Sequence, residues 1–119
     1  MNFLPAVQSG RNRVKLADGT ALSAQQLRDG QVQSNAPIEL GIRPEHIHLV
    51  KTGGRNGQLN GIVLLVERLG NSSVVHLETA CGPLAVQCGG DLDIAAGQKV
   101  FAELENARMH LFGSDGAAI

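Results

Sequence analysis

The stretch "NGIVLLVERLGNSSVVHLET" (residues 60–79) decides the fold class, because it joins the most apolar run of the chain to a second strand-like run. Side chains of a strand alternate between its two faces, so Ile62, Leu64 and Val66 are predicted to share one face and the intervening residues the other. A strand that is apolar on both faces is central, or lies between the core and a partner. The turn "GNS" between the two runs predicts a hairpin.

This reading places Leu64 at the centre of a barrel. Replacement of Leu59, near the start of the strand, by alanine is therefore predicted to lower stability less than the same change at Leu64. Short apolar runs punctuated by Gly, Asn and Asp continue on both sides of the hairpin. About nine or ten strands at near-regular spacing predict an all-β barrel or sandwich. Only "AQQLRDG" (residues 24–30) looks helical, and a composition shift at "SNAP" (residues 34–37) suggests a boundary between a front β-unit and the main barrel.

Composition excludes several classes of protein. The chain has 119 residues, which favours one domain, and 43% of them are hydrophobic, too many for a disordered chain. A formal net charge of -1 and the lack of Tyr and Trp argue against nucleic acid as a partner. The opening "MNFLPAVQ" lacks the features of a signal peptide, and no apolar run approaches the about 20 residues of a membrane span. A cytoplasmic protein is therefore expected.

Two cysteines flank the predicted strand "CGPLAVQC" (residues 81–88). An extended strand would separate them beyond the about 7 Å over which a disulfide can form, so free thiols are predicted for Cys81 and Cys88. The glycine-rich "KTGGRNGQ" (residues 51–58) lacks the G-x-x-x-x-G-K-[ST] pattern of a phosphate loop and is predicted to be a hairpin loop.

No other group of residues makes a strong case for catalysis or metal binding. His46 and His48 would share a face of one strand, as two zinc ligands can, but no third ligand lies nearby in the sequence. Asp91 and Asp93 lack the neighbours of a calcium loop and are predicted to be solvated. The pattern G-x-S-x-G is absent, and "GNSS" (residues 70–73) is the one plausible cradle for an oxyanion.

The stretch "LGIRPEHI" (residues 40–47) predicts a sharp corner. Pro44 has a fixed φ and no N–H, so it ends the preceding strand, and it holds Arg43 in an extended conformation. Glu45 then lies near the positive end of a tight turn. We expect Arg43 and Glu45 to fix this turn or to pair with a neighbouring element. The residues alone thus predict a structural corner with two charges available for an interface, and Arg43, Pro44 and Glu45 are the candidates for contact with a subunit or regulator.

This corner closely resembles a motif in the C-terminal regulatory region of ATP-binding subunits of carbohydrate ABC importers of the maltose, multiple-sugar and glycerol-3-phosphate type. Three further stretches are similar to that family in order and spacing: "MNFLP" (residues 1–5), "GIVLLVERLGNSSVVHLE" (residues 61–78) and "ENARMHLFGSDGAAI" (residues 105–119). The resemblance covers essentially the whole chain. The tail departs from the family pattern, with Gly113 in place of the usual Asp and Ala117 where a basic residue is common.

The resemblance implies an OB-like barrel of the MOP/TOBE type, with residues 1–35 as a front β-unit and residues 36–119 as the barrel. It implies a non-catalytic dimerisation and regulatory domain, with no cofactor in this chain and with ATP and Mg²⁺ in an ATPase domain that would precede Met1. The implied partners are a second ATPase subunit, the membrane-spanning importer subunits and a regulatory protein, on the inner face of the cell membrane. An OB-like module that binds a small oxyanion is the alternative.

Overall fold

The computed structural model describes residues 1–10, 13–23, 37–53, 57–90, 93–105 and 108–113. Ten strands are present within these ranges, as the sequence predicted, whereas the helix predicted for residues 24–30 lies outside them. No helix in the described part of the chain is long and apolar enough to cross a membrane. The strands are β1 Asn2–Gly10, β2 Arg13–Leu16, β3 Ala21–Ser23, β4 Pro37–Ile42, β5 Ile47–Val50, β6 Gln58–Arg68, β7 Ser72–Thr79, β8 Gly82–Gly89, β9 Lys99–Leu104 and β10 His110–Gly113.

These strands form two five-stranded antiparallel sheets. Sheet 1 has the order β10-β4-β1-β2-β3, and sheet 2 has the order β5-β9-β6-β7-β8. The two edge strands of sheet 2, β5 and β8, contact one another, so this sheet curls towards a barrel. The all-β, OB-like architecture predicted from the sequence is confirmed.

A single hydrophobic core joins the two sheets. Alternate residues of each strand point inward, as in β2 and β7, where buried and partly or fully exposed positions follow one another along the chain. Large side chains from both sheets are fully buried, among them Leu4, Leu40, Ile42, Leu59, Leu77, Leu84 and Met109.

The division of the chain at residue 35 stays a prediction. Strand β1 of the proposed front unit pairs with β4 over six residues, from Asn2 opposite Ile42 to Val7 opposite Pro37. Strand β10, near the end of the described chain, pairs with the other edge of β4. Sheet 1 therefore combines strands from both sides of the predicted boundary.

Strand β6 differs from the sequence prediction because it contains a β-bulge. Val63 lies opposite Leu77 on β7 and Leu65 lies opposite His76, so Leu64 is an extra residue without a partner. The bulge leaves Leu64 and Leu65 both exposed, and it turns Val66 towards the core. The predicted grouping of Ile62, Leu64 and Val66 on one face is therefore wrong.

The predicted order of burial within β6 is also wrong. Leu59 is 0% exposed, whereas Leu64 is 54% exposed. Leu59 lies opposite the buried Ala102 on β9, on the face of β6 that points into the core. The pairing with β9 ends at Ile62 opposite Lys99, and β6 continues beyond it with β7 as a hairpin.

Candidate functional site

The corner at Arg43 carries the chain from sheet 1 to sheet 2. Arg43 follows β4 in an extended conformation, with φ −76° and ψ 148°, and Pro44 begins a 3-10 turn, Pro44–His46. The N–H of His46 donates to the carbonyl of Arg43 at 3.0 Å, and the turn packs against β8. The predicted end of the strand, the extended Arg43 and the turn that starts at Pro44 are all confirmed.

The charged side chains of the corner do not hold it together. Arg43 and Glu45 are both exposed, and they form no ion pair with each other or with another described residue. The turn is defined instead by the fixed φ of Pro44 and by the main-chain hydrogen bond of His46. Both charges are therefore available to a partner, and the interface role of Arg43, Pro44 and Glu45 stays a prediction.

A groove of about 430 Å³ lies beside the corner, where the edge strands of sheet 2 approach one another. The imidazole Nε2 of His48 lies 3.7 Å from the Oε1 of Glu105 near one side of it. The volume is within the range of small-ligand sites. The groove is lined by Glu45, Ile47, His48, Leu49, Gln87, Cys88 and Gly89.

The two histidines do not share one strand. His46 belongs to the 3-10 turn and His48 to β5, so the two do not share the strand face expected from their spacing. The Nδ1 of His46 is buried without a partner among the described residues. The described ranges contain no group of three or more His, Cys, Asp or Glu that could hold a metal ion.

The prediction of free thiols is confirmed for both cysteines. Cys81 is buried beside the start of β8, and Cys88 is half-buried near the end of that strand. Burial raises the pKa of Cys81, and it also raises the pKa of Cys88. Both groups are therefore held in the unreactive protonated form.

The remaining sequence candidates do not form a binding site. Gly70 and Asn71 of the "GNSS" segment lie in the turn between β6 and β7, whereas Ser72 and Ser73 begin β7. The side chain of Ser73 is fully buried, so its hydroxyl is not open to an oxyanion. Asp93 is exposed and lies 3.6 Å from the ammonium of Lys51, while Asp91 lies outside the described residues. The loop at residues 51–58 is described only at its two ends.

The sequence analysis missed an exposed apolar surface on the β6–β7 hairpin. Ile62 and Leu69 are exposed, together with Leu64 and Leu65 of the bulge. The one signal in the sequence is the pair of adjacent leucines inside a run that is apolar at every position from 62 to 66. Such a pair indicates a bulge only when the opposite strand and its register are known.

Comparison with known proteins identifies the class of this fold. Residues 40–112 match the model of the TOBE domain, and residues 1–47 match the model of the MalK OB fold domain. The first match covers more than half of the chain, so the chain belongs to the TOBE domain family.

Similar curated proteins are ATP-binding components of importers. The chain is 34% identical over 125 residues to the maltose/maltodextrin import ATP-binding protein MalK of Vibrio vulnificus (strain YJ016), a match that covers 99% of this chain and 33% of that protein. The same-named protein of Vibrio cholerae is 33% identical over 119 residues, with 98% and 31% covered. The chain thus spans about a third of the length of these relatives, and the family resemblance seen in the sequence is confirmed.

A solved structure shares the fold. The cytoplasmic molybdate-binding protein ModG, in a form with molybdate bound, superposes with a TM-score of 0.75 at 17% sequence identity. The match covers 92% of this chain and 94% of ModG. At this level of identity the likeness concerns the architecture alone.

Proposed function

We propose that this chain is the non-catalytic dimerisation and regulatory domain of the ATP-binding subunit of a carbohydrate ABC importer. The observation that carries the proposal is the match over 99% of the chain to maltose/maltodextrin import ATP-binding proteins. The sequence has no phosphate loop. Hydrolysis of ATP would therefore belong to another part of the subunit, and this domain would hold two subunits together.

The proposal assigns partners to the domain. They are a second ATPase subunit, the membrane-spanning subunits of the importer and a regulatory protein, with the assembly on the inner face of the cell membrane. ATP and Mg²⁺ would bind in the ATPase domain of the whole subunit. The exposed charges of Arg43 and Glu45, unpaired within the described ranges, support a role for the corner in one of these contacts.

Titration calorimetry with two ligands tests the proposal against the oxyanion-binding alternative. We expect no heat of binding from Mg-ATP, because the sequence offers no loop that could cradle its phosphates. We also expect none from molybdate at physiological salt, because the hydroxyl of Ser73 is buried. Micromolar binding of Mg-ATP would contradict the proposal, and micromolar binding of molybdate would favour the alternative.

The corner is tested by Arg43→Ala, with Arg13→Ala as a matched control. Both arginines are exposed, and Arg13 lies on β2 of sheet 1. An exposed charge contributes about 0–1 kcal/mol to the stability of a monomer, so neither change should lower the melting temperature of this chain appreciably. When one member of a charge pair buried in an interface is removed, the other charge is left desolvated and unpaired. The free energy of association then falls by several kcal/mol. Arg43→Ala should therefore weaken association with a subunit or regulator, and Arg13→Ala should not.

Analytical ultracentrifugation and thermal melting of the same samples separate the two roles of Arg43. A collapse of the melting temperature with unchanged association would show that Arg43 stabilises its own barrel. In that case the interface role of the corner is wrong, while the dimerisation role of the domain is unaffected.

A further inference from the structure

The β6–β7 hairpin carries an apolar stripe made of Ile62, Leu64, Leu65 and Leu69. Their side chains are 44%, 54%, 53% and 61% exposed, in that order. The bulge at Leu64 widens the stripe, because it places two successive leucines outside where a regular strand would expose one. Leu69 lies beyond Glu67 on the same face, so Ile62, Leu64 and Leu65 form the compact part of the stripe. Single apolar side chains are common on protein surfaces, but a group of neighbouring ones indicates a contact surface.

Opposite charges flank the stripe at the level of Ile62. Lys99 lies beside Ile62 on β9, and Glu78 lies beside it on β7. All three side chains are exposed, and the residues next to Lys99 and Glu78 along their strands are buried, so the three point outward together. Because neighbouring strands are about 4.8 Å apart, the Cα atoms of Lys99 and Glu78 lie on the order of 10 Å from one another with Ile62 between them.

These two charges have no ionic partner within the described ranges. The ammonium of Lys99 lies 5.6 Å from the centre of the Phe101 ring, which positions it over the outer face of sheet 2. By contrast, the other carboxylate on this face of the hairpin, that of Glu67, is paired with His76. Glu78 is therefore available for an ion pair with another molecule, and Lys99 can form one if its ammonium leaves the Phe101 ring.

We infer that the apolar stripe is the contact surface between two copies of this chain, related by a twofold axis parallel to β6. Rotation about such an axis lays the row Lys99–Ile62–Glu78 of one copy over the reversed row of the other. Ile62 then meets Ile62, and each Lys99 meets the partner copy's Glu78, so the pattern is complementary to itself. A twofold axis that crosses the strands within the interface would instead bring like charges together. The inference rests on the proposed function and assigns the contact between two copies to the stripe, which leaves the corner at Arg43 for a regulator or another subunit of the importer.

The size of the stripe sets the strength of this contact. Four half-exposed aliphatic side chains supply a few hundred Å², which is below the about 800 Å² per partner of a standard stable interface. We therefore expect reversible association of the chain in about the micromolar to millimolar range. The ion pairs favour this arrangement of the two copies over arrangements that bring like charges together.

Charge reversal on the two flanks tests the inference directly. Sedimentation velocity is measured over a concentration series up to about 1 mM for the unaltered chain, Lys99→Glu, Glu78→Lys and the double variant. Each single variant places like charges face to face at both ends of the row, so the dissociation constant should rise about tenfold or more. The double variant restores both ion pairs and should associate like the unaltered chain.

A mixture of the two single variants provides a second measurement. Lys99→Glu carries two acidic groups on the row and Glu78→Lys carries two basic ones, so the mixture should associate although each variant alone does not. Lys15→Glu is the matched control, because Lys15 is an exposed lysine on β2 of sheet 1 and its reversal should leave association unchanged. Thermal melts confirm that each variant is folded.

The outcomes separate this inference from the proposed function. If the single variants associate as strongly as the unaltered chain, or if the double variant does not recover association, the stripe is not the interface. The dimerisation role then still stands. An unaltered chain that stays monomeric throughout the series would overturn the interface and the dimerisation role together. Loss of association in Lys15→Glu as well would show that net charge, rather than the row, controls it, and would also overturn the inference.

Discussion

Truncation of two leucines on the same strand tests the structure of β6. Leu59 is 0% exposed and Leu64 is 54% exposed, although both lie in the longest strand of sheet 2. Leu59→Ala should cost about 2–5 kcal/mol, as for leucines whose removal leaves a cavity. Leu→Ala removes three carbons, whose full burial contributes about 0.8 kcal/mol each. The side chain of Leu64 is only about half buried and its removal leaves no cavity, so Leu64→Ala should lower the free energy of unfolding by about 1 kcal/mol.

Urea unfolding followed by circular dichroism measures both losses. With a denaturant dependence of about 2 kcal/mol per M, the midpoint should fall by about 1–2.5 M for Leu59→Ala and by about 0.5 M for Leu64→Ala. The measurement is made on dilute chain, where self-association through the stripe does not add to the stability. Equal losses at the two positions, or a larger loss at Leu64, would refute the bulge and the burial that follows from it.

Three further substitutions and reactions are expected to follow from local contacts. The Asn2 side chain donates to the carbonyl of Ala85 at 2.7 Å and accepts from its N–H at 2.8 Å, so Asn2→Ala should cost about 1–3 kcal/mol; amide hydrogen exchange at Ala85 should accelerate, and unchanged exchange would contradict the contact. A Cβ on Gly90 would lie 2.4 Å from the carbonyl oxygen of Gly70, so Gly90→Ala should lower stability by about 1–3 kcal/mol in thermal melts, and an unchanged melting temperature would argue against this packing. Burial raises the pKa of Cys88, so its reaction with a disulfide reagent should be slower in the folded chain than in the urea-unfolded chain at the same pH. The reaction of the folded chain should become faster as the pH rises towards this raised pKa. Equal rates in the two states would disprove the burial of Cys88.

Features set by local chemistry were predictable from the sequence. Pro44 stops β4 and starts the corner because its ring fixes φ and removes the N–H, whatever surrounds it. The turn after Leu69 places Gly70 at φ +84°, a conformation that glycine adopts without strain, so the hairpin of β6 and β7 follows from the local sequence. The separation of Cys81 from Cys88 by an extended strand is a matter of chain geometry alone.

Features set by distant partners were not predictable. Whether Leu64 is inside or outside depends on which residues of β7 face β6, and the alternation of β6 by itself gave the wrong faces. The place of β1 beside β4 and β8 depends on pairings between residues far apart in the chain, including the contact of Asn2 with Ala85. The apolar stripe and its flanking charges become visible only when three strands are set in register.

The packing around Gly41 in sheet 1 also depends on residues that are distant in the sequence. Gly41 lies where Phe3 and Phe112 pack over β4, with ring centres 6.2 Å apart, and a Cβ there would lie 2.8 Å from the sulfur of Met1. Its sequence neighbours gave no reason to expect a side chain to be excluded. The limited space above Gly41 comes from side chains of the first and last described strands, which meet there.

The bulge in β6 also determines where the length of this chain is free to change. Val63 lies opposite Leu77 and Leu65 lies opposite His76, which is the next residue of β7 in the pairing order. The pairing of β6 with β7 therefore continues across Leu64 without a skipped residue on β7. Loss of this one residue would leave every other pair of the ladder in place and every inward side chain inward. Deletion of Leu64 alone would therefore remove part of the apolar stripe and keep the inward side chains in place. Under the inferred contact between two copies, this deletion would weaken self-association without any substitution.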